Sequence, residues 1–168
     1  MSGSRSEAKK PFQLTAAGYV VSDGKVLLVA HKQLRKWLPP GGHLMQDNEG
    51  MFVESPEEAA IREVREETGL EVEMRGRKYY AHDPETEMLT IPESMHIHPI
   101  DAKHDHLGVD FFCVPKGTVG KQKGAERCRW FSEDELKNYP SDEVLGIPVH
   151  VRATAMKAME RLTKSLKR

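Results

Sequence analysis

The sequence predicts an α/β fold, a mixed β-sheet with helices on both of its faces. Two observations carry this. Short apolar runs of strand character stand before and after one central helical stretch, Glu54 to Leu70. A second helical pattern closes the chain from about Val149 to Leu166, where Val151, Ala155, Met159, Leu162 and Leu166 recur at helical spacing.

With 168 residues, 38% apolar and 30% charged, the chain suits one soluble domain with a sizeable core. Residues 1–10, MSGSRSEAKK, read as a disordered tail, and 11–168 as a single domain. A net charge of −1 gives no sign of a nucleic-acid partner. No signal peptide or membrane-spanning run is visible. Cys113 and Cys128 lack CxxC spacing and read as reduced core residues. The expectation is a cytoplasmic protein, monomer or homodimer, without a membrane partner.

From Phe12 the elements follow in order. Ala17–Val21 and Lys25–Ala30 flank Asp23-Gly24, the signature of a hairpin. His31 to Lys36 is a basic connector, either a solvated loop or a cationic rim for phosphates, with Arg35 and Lys36 as candidate contacts. After the central helix, Glu71 to Tyr80 is a strand candidate and Ala81 to Pro92 a long loop. Met95 to Ile100 alternates as a strand, Asp101 to Leu107 turns, and Gly108 to Val114 is a strong strand. Residues 115–124 form a loop. Arg127 to Phe131 is a short strand, and Ser132 opens a capped helix. The last helix carries Arg152, Lys157, Arg161, Lys164, Lys167 and Arg168; such a face can meet an acidic surface, but packing on the sheet is the commoner use.

The central helix carries the chemistry. Ser55 caps it, Pro56 suits its first turn, Glu58 completes a capping box, and Gly69 closes it. At about 100° per residue, Ala60, Ile61, Val64 and Thr68 share one arc and should face a core. Glu63, Glu66 and Glu67 share the adjacent arc, with Ala59 among them. Three carboxylates at this spacing repel one another, which Arg62, Arg65 or a divalent cation would relieve. A solvated acidic face is the plain alternative.

Arg62-Glu63-Val64-Arg65-Glu66-Glu67-Thr68-Gly69-Leu70 resembles the REUxEExGU core of the Nudix box, U being a bulky apolar residue. Glu54 stands eight positions before Arg62, as in that box, and Trp37-Leu38-Pro39-Pro40-Gly41-Gly42-His43 is similar to its WxxPGG approach. One departure is clear: eleven residues, 43–53, separate Gly42 from Glu54 where five are usual. The six extra residues, roughly Met45 to Gly50, include Asp47, Glu49 and Gly50 and predict an exposed turn on the rim of the site.

The resemblance implies an α/β/α sandwich and metal-dependent hydrolysis of a phosphoanhydride in a nucleoside diphosphate linked to another group. It implies Mg²⁺, or Mn²⁺, held by Glu63, Glu66, Glu67 and the Gly41 carbonyl, with Arg62 orienting the glutamates and Glu54 supporting them. Glu126, shortly before Trp130-Phe131, looks like the family's outlying base or ligand; Glu85, Glu87 and Glu93 compete for that role. His43, His96 and His98 are candidates for contact with the small nucleotide-type substrate. His96, His98, His104 and His106 crowd one span, as a zinc site, a polar sheet face or part of the substrate pocket. Two other functions stand beside the hydrolase. A Nudix-like binding or sensor module would usually lack a box glutamate, and all are present. An isoprenoid-type isomerase would need a catalytic cysteine in its own motif, which neither cysteine has.

Overall fold

The computed structural model describes residues 10–80, 83–117, 119 and 127–165. Among them the order is β1 (Phe12–Ser22), β2 (Lys25–His31), β3 (Lys36–Leu38), β4 (Gly41–His43), α1 (Pro56–Thr68), β5 (Val72–Met74), β6 (Ser94–Pro99), β7 (Asp105–Pro115), β8 (Cys128–Phe131), α2 (Glu133–Asn138) and α3 (Val149–Ser165). The strands form one sheet with the path β3-β2-β1-β7-β5, to which β4 adds on β1, β6 on β7 and β8 on β2. β1 and β7 run parallel, from Phe12 opposite Asp105 to Val20 opposite Cys113. The other pairings are antiparallel, so the sheet is mixed.

The hairpin of β1 and β2 turns at Asp23 and Gly24, both left-handed with φ of 48° and 69°. That geometry matches the twist of paired strands and favours an Asp-Gly pair. Alternation then divides β1 between two cores. Tyr19 and Val21 join Val26, Leu28, Phe112 and Phe131 beneath Leu136 of α2 and Val151, Ala155, Met159 and Leu162 of α3. Val20, Leu27 and Cys113 meet Val64 of α1 on the other face, where Ala16, Val109 and Phe111 meet Ala59 and Ala60. Helices therefore cover both faces, as expected.

α1 forms as its ends predict. The Ser55 hydroxyl accepts from the Glu58 N–H, the Glu58 carboxylate accepts from the Ser55 N–H, and Gly69 is left-handed at φ 73°. Ala60, Val64 and Thr68 are buried, and Ile61 is half-buried. Ala59, placed by spacing beside the glutamates, is also fully buried; the core arc is wider than the helical wheel implied because Leu44, from the segment before the helix, packs there with Ala16, Val109 and Phe111.

The strand expected over Glu71 to Tyr80 is cut to Val72–Met74. The reason lies in β7, one edge of which is filled by β1. On the other edge β5 pairs with residues from Cys113 to Pro115, and β6 takes Asp105 to Asp110. β5 must stop where β6 begins. Pairing on both edges also extends β7 back to Asp105, which shortens the expected turn. β3 and β4, three residues each, had no periodic signal to reveal them.

Three basic residues of α3 are used within the chain. Arg152 Nη2 donates to the Tyr139 carbonyl and to Ser141 Oγ, Arg161 pairs with Glu93, and Lys157 Nζ reaches the Glu93 carbonyl at 3.4 Å. Lys167 and Arg168 lie outside the described residues. Among the described residues no helix is long and apolar enough to cross a membrane. Cys113, buried, and Cys128, half-buried, are not joined in a disulfide.

α1 lies close on the sheet at Gly18, where an added Cβ would stand 2.7 Å from Val64 Cγ2 and 3.2 Å from Cys113 Sγ. Gly18→Ala is expected to destabilise the fold by about 1–3 kcal/mol through overpacking. Urea unfolding checks it: the midpoint should fall while the slope stays unchanged.

Candidate active site

Two elements meet to build the site. α1 presents its acidic arc, and the Pro39–Gly42 approach, fixed by β4 on β1, runs alongside it. Gly41 donates its N–H to Glu67 Oε2 at 3.1 Å. At Gly42 a side chain would collide with the Glu63 carboxylate, so only glycine lets this backbone lie against the helix.

Arg62 is the hub. Its Nε and Nη2 grip Glu54 at 3.1 and 2.7 Å, and Nη1 reaches Glu63 at 2.7 Å and Glu66 at 3.3 Å. Nη2 also donates to the His43 carbonyl at 3.0 Å, tying the glycine loop to the helix. The planar fork of arginine offers five donors in a fixed geometry, against the three of a compact lysine ammonium. The Arg62 hydrogen bonds hold Glu54 below the ordinary carboxylate range, and Glu54 in turn holds the guanidinium more firmly charged.

Glu67 is different. Burial first, and then the neighbouring Glu63, push its carboxyl up to about 6 against the pull of the Gly41 N–H. A half-buried carboxylate beside two others is a site that a divalent cation would relieve, and its oxygen donors suit a hard ion. Among the described residues no three His, Cys, Asp or Glu side chains are already gathered as a ligand shell. Glu63 is turned to Arg62, Glu67 to Gly41, and Glu66 is more than half exposed.

The insertion is a small hairpin. Gln46 bridges Phe52, Asp47 Oδ1 accepts from the N–H groups of Glu49 and Met51 at 2.9 Å each, and Gly50 is left-handed at φ 84°. Its base is tied into the site, because Met45 donates its N–H to Glu54 Oε1 at 2.7 Å. Residues 47–50 form its exposed tip and Met51, Phe52 and Val53 are exposed on the returning arm, so the exposed turn expected there is present.

A cleft of about 420 Å³ opens beside these elements. Glu67, Gly41, Gly42, His43, Lys36, His96 and His98 all line it, whereas Glu54, Arg62, Glu63 and Glu66 do not. Lys36 is partly spent already, since its Nζ donates to the carbonyls of Ser141 and Glu143 at 2.8 and 2.9 Å. Arg35 is exposed on the left-handed turn before β3 (φ 50°) and is not part of the cleft wall. Glu126 lies outside the described residues. Of its competitors, Glu93 is ion-paired with Arg161, while Glu85 and Glu87 are exposed.

Three cleft-side residues were not read from sequence. Asp110 is buried within β7, accepts from Ser94 Oγ at 2.5 Å and faces His96 Nδ1 at 3.5 Å; burial pushes its carboxyl up. His150 reaches the same wall from α3. Arg127, at the start of β8, faces Glu67 and His31, helping to hold down both, and its buried Nε has no hydrogen-bond partner. No local spacing connects these to α1; only the sheet topology does. Burial first, then neighbouring imidazoles, hold His106 down to about 4 and lower His98 and His150.

A family model described as the NUDIX domain matches residues 12–147, and the chain belongs to that family. Membership makes it a hydrolase of pyrophosphate bonds; Nudix hydrolases act on nucleoside diphosphate derivatives and generally need divalent metal ions. A hydrolase of the NUDIX family from Clostridium perfringens is 27% identical, with a TM-score of 0.65 over 89% of this chain and 97% of that one. A NUDIX hydrolase from Nitrosomonas europaea (21% identical, TM-score 0.60, 90% of each chain) shares the fold. So does a MutT protein from Methanosarcina mazei Go1 (19%, TM-score 0.59, 96% of this chain and 100% of that one). Among curated proteins nothing matches the chain.

The grip of Arg62 on Glu54 has a measurable pH signature. Because the Glu54 pKa is lowered in the folded state, its contribution is present above the unfolded carboxylate value, near 4.3, and is lost as pH falls below it. Glu54→Gln should therefore cost stability at pH 7 and progressively less toward pH 3. Denaturant melts of both proteins across that range check it; a difference independent of pH would show that the carboxylate charge is not what matters.

Proposed function

We propose that this chain is a metal-dependent pyrophosphohydrolase that cleaves the phosphoanhydride of a nucleoside diphosphate linked to another moiety. The observation that supports it is the Arg62 hub: one guanidinium aligns Glu54, Glu63 and Glu66 beside Glu67 and the glycine loop. Glu63, Glu66, Glu67 and the Gly41 carbonyl would hold Mg²⁺ or Mn²⁺, which would neutralise phosphate oxygens and lower the pKa of a bound water.

The chain's own groups do the rest. Arg62 keeps the glutamate arc ordered, and Glu54 keeps Arg62 in place. His43, His96 and His98, which line the cleft, would contact the substrate together with Lys36; Arg35 would act only on a substrate that extends past the cleft mouth. Glu126 is the proposed general base. With Glu93 held by Arg161, competition for that role narrows to Glu85 and Glu87. All the box glutamates are present, which favours an enzyme over a sensor.

The test is product release from a panel of nucleoside diphosphate derivatives with Mg²⁺. EDTA should stop it, and Glu67→Gln should lower kcat by about 10²-fold or more with the fold intact. Full turnover in EDTA or in that variant would overturn the reading.

The inserted hairpin stands at the rim and should select among substrates. Shortening it within residues 46–51 while keeping Met45 is expected to change relative kcat/KM across the panel with little change in Tm. A large fall in Tm with preferences unchanged would make the hairpin purely structural.

A further inference from the structure

Six of the chain's eight histidines cluster ring beside ring, although they come from five separate places, and five of them line the cleft. His43 is on β4, His96 and His98 on β6, His104 in the following turn, His106 on β7 and His150 on α3. Ring centroids stand 4.7 Å apart for His43 and His106, 5.3 Å for His98 and His106, and 5.5 Å for His104 and His106. Hydrophobic packing does not call for imidazoles here, and an array this dense cannot be protonated throughout without mutual repulsion.

Two details describe nitrogen atoms lacking a settled partner. His43 Nε2 and His106 Nε2 are 3.1 Å apart, and Gln13 Oε1 approaches the same His43 nitrogen at 2.9 Å. One imidazole nitrogen has a single in-plane site, a proton or a lone pair, so it is over-subscribed. Two nitrogens bound to one tetrahedral ion at about 2.0–2.1 Å would stand about 3.3 Å apart, close to the separation found. His98 Nδ1 is buried without a partner. The two flanking rings are already held by carboxylates, His104 Nδ1 by Asp101 at 3.1 Å and His96 Nδ1 by Asp110 at 3.5 Å, which sets them apart from the three rings beside them.

We propose that His43, His98 and His106 form a second metal site, for a borderline transition ion such as Zn²⁺, separate from the carboxylate site on α1. Imidazole nitrogen suits zinc, copper or nickel, whereas glutamate oxygens suit magnesium, so the two sites differ in ion as well as in place. The three donors are not yet gathered about one point. Closing the site requires His98 to turn about its outer torsion, which is soft for histidine, and its buried Nδ1 gives up no hydrogen bond in doing so. The proposal does not depend on the glutamate reading and stands or falls separately.

The test uses tag-free, full-length protein titrated with Zn²⁺ alone against a chromophoric chelator. About one equivalent should bind, His98→Ala and His106→Ala should each weaken binding roughly tenfold or more, and Glu67→Gln should leave it intact. Binding that is lost in Glu67→Gln yet kept in both histidine variants would place the zinc on α1 and overturn the proposal. Co²⁺ added to the unmutated protein provides a readout that does not depend on the variants folding. Intense visible bands of a tetrahedral nitrogen site are expected, and only the weak spectrum of an octahedral oxygen site would overturn it.

Discussion

The candidate site depends on one guanidinium. Glu54, Glu63 and Glu66 are gathered by Arg62, and the same group holds the His43 carbonyl, so glycine loop, inserted hairpin and helix are all registered on it. Its side chain is 16% exposed and that of Glu54 only 7%. A pair this sheltered is costly to leave half made, because the surviving charge would have lost its hydration without gaining a partner. The acidic arc is therefore tolerable in the absence of a cation, yet Glu67, outside the reach of Arg62, keeps the strain of burial beside like charge.

The sheet makes that arrangement rigid. β1 is buried on both faces and paired on both edges, with β2 and β4 on one side and β7 on the other. It carries the glycine loop through β4 and the α1 contact through Gly18, and it sets β7 alongside. The acidic helix and the histidine wall thus hang from one strand. A site built from strands and a capped helix holds its geometry better than one built from loops.

The central helix was fully legible in sequence because its signals are local: Ser55 and Glu58 at one end, Gly69 at the other, and an apolar arc between. The hairpin at Asp23-Gly24 and the caps of α2 were legible for the same reason. β5 was over-read because its length is set by competition with β6 for one edge of β7, a fact about another part of the chain. β3 and β4 are too short to show a period. In the site, the glutamates follow from spacing on one helix, and the histidines of β6 from alternation. Asp110 and His150, which line the cleft from β7 and α3, and Arg127, which acts on Glu67 from just before β8, could not be found this way, since they share no sequence neighbourhood with α1.

The parallel pairing of β1 with β7 also governs how the chain must assemble. Phe12 finds Asp105 and Val20 finds Cys113, so the strand at the heart of the sheet waits for partners made much later. On a ribosome the hairpin of β1 and β2 emerges early with Tyr19, Val20 and Val21 uncovered and one edge unpaired. Closing so long a loop comes at an entropic cost before the contacts return anything, which slows folding. A chain truncated before β7 would keep that apolar edge open to pairing with other chains. The same strand that makes the finished site rigid makes the unfinished protein the form most dependent on chaperones.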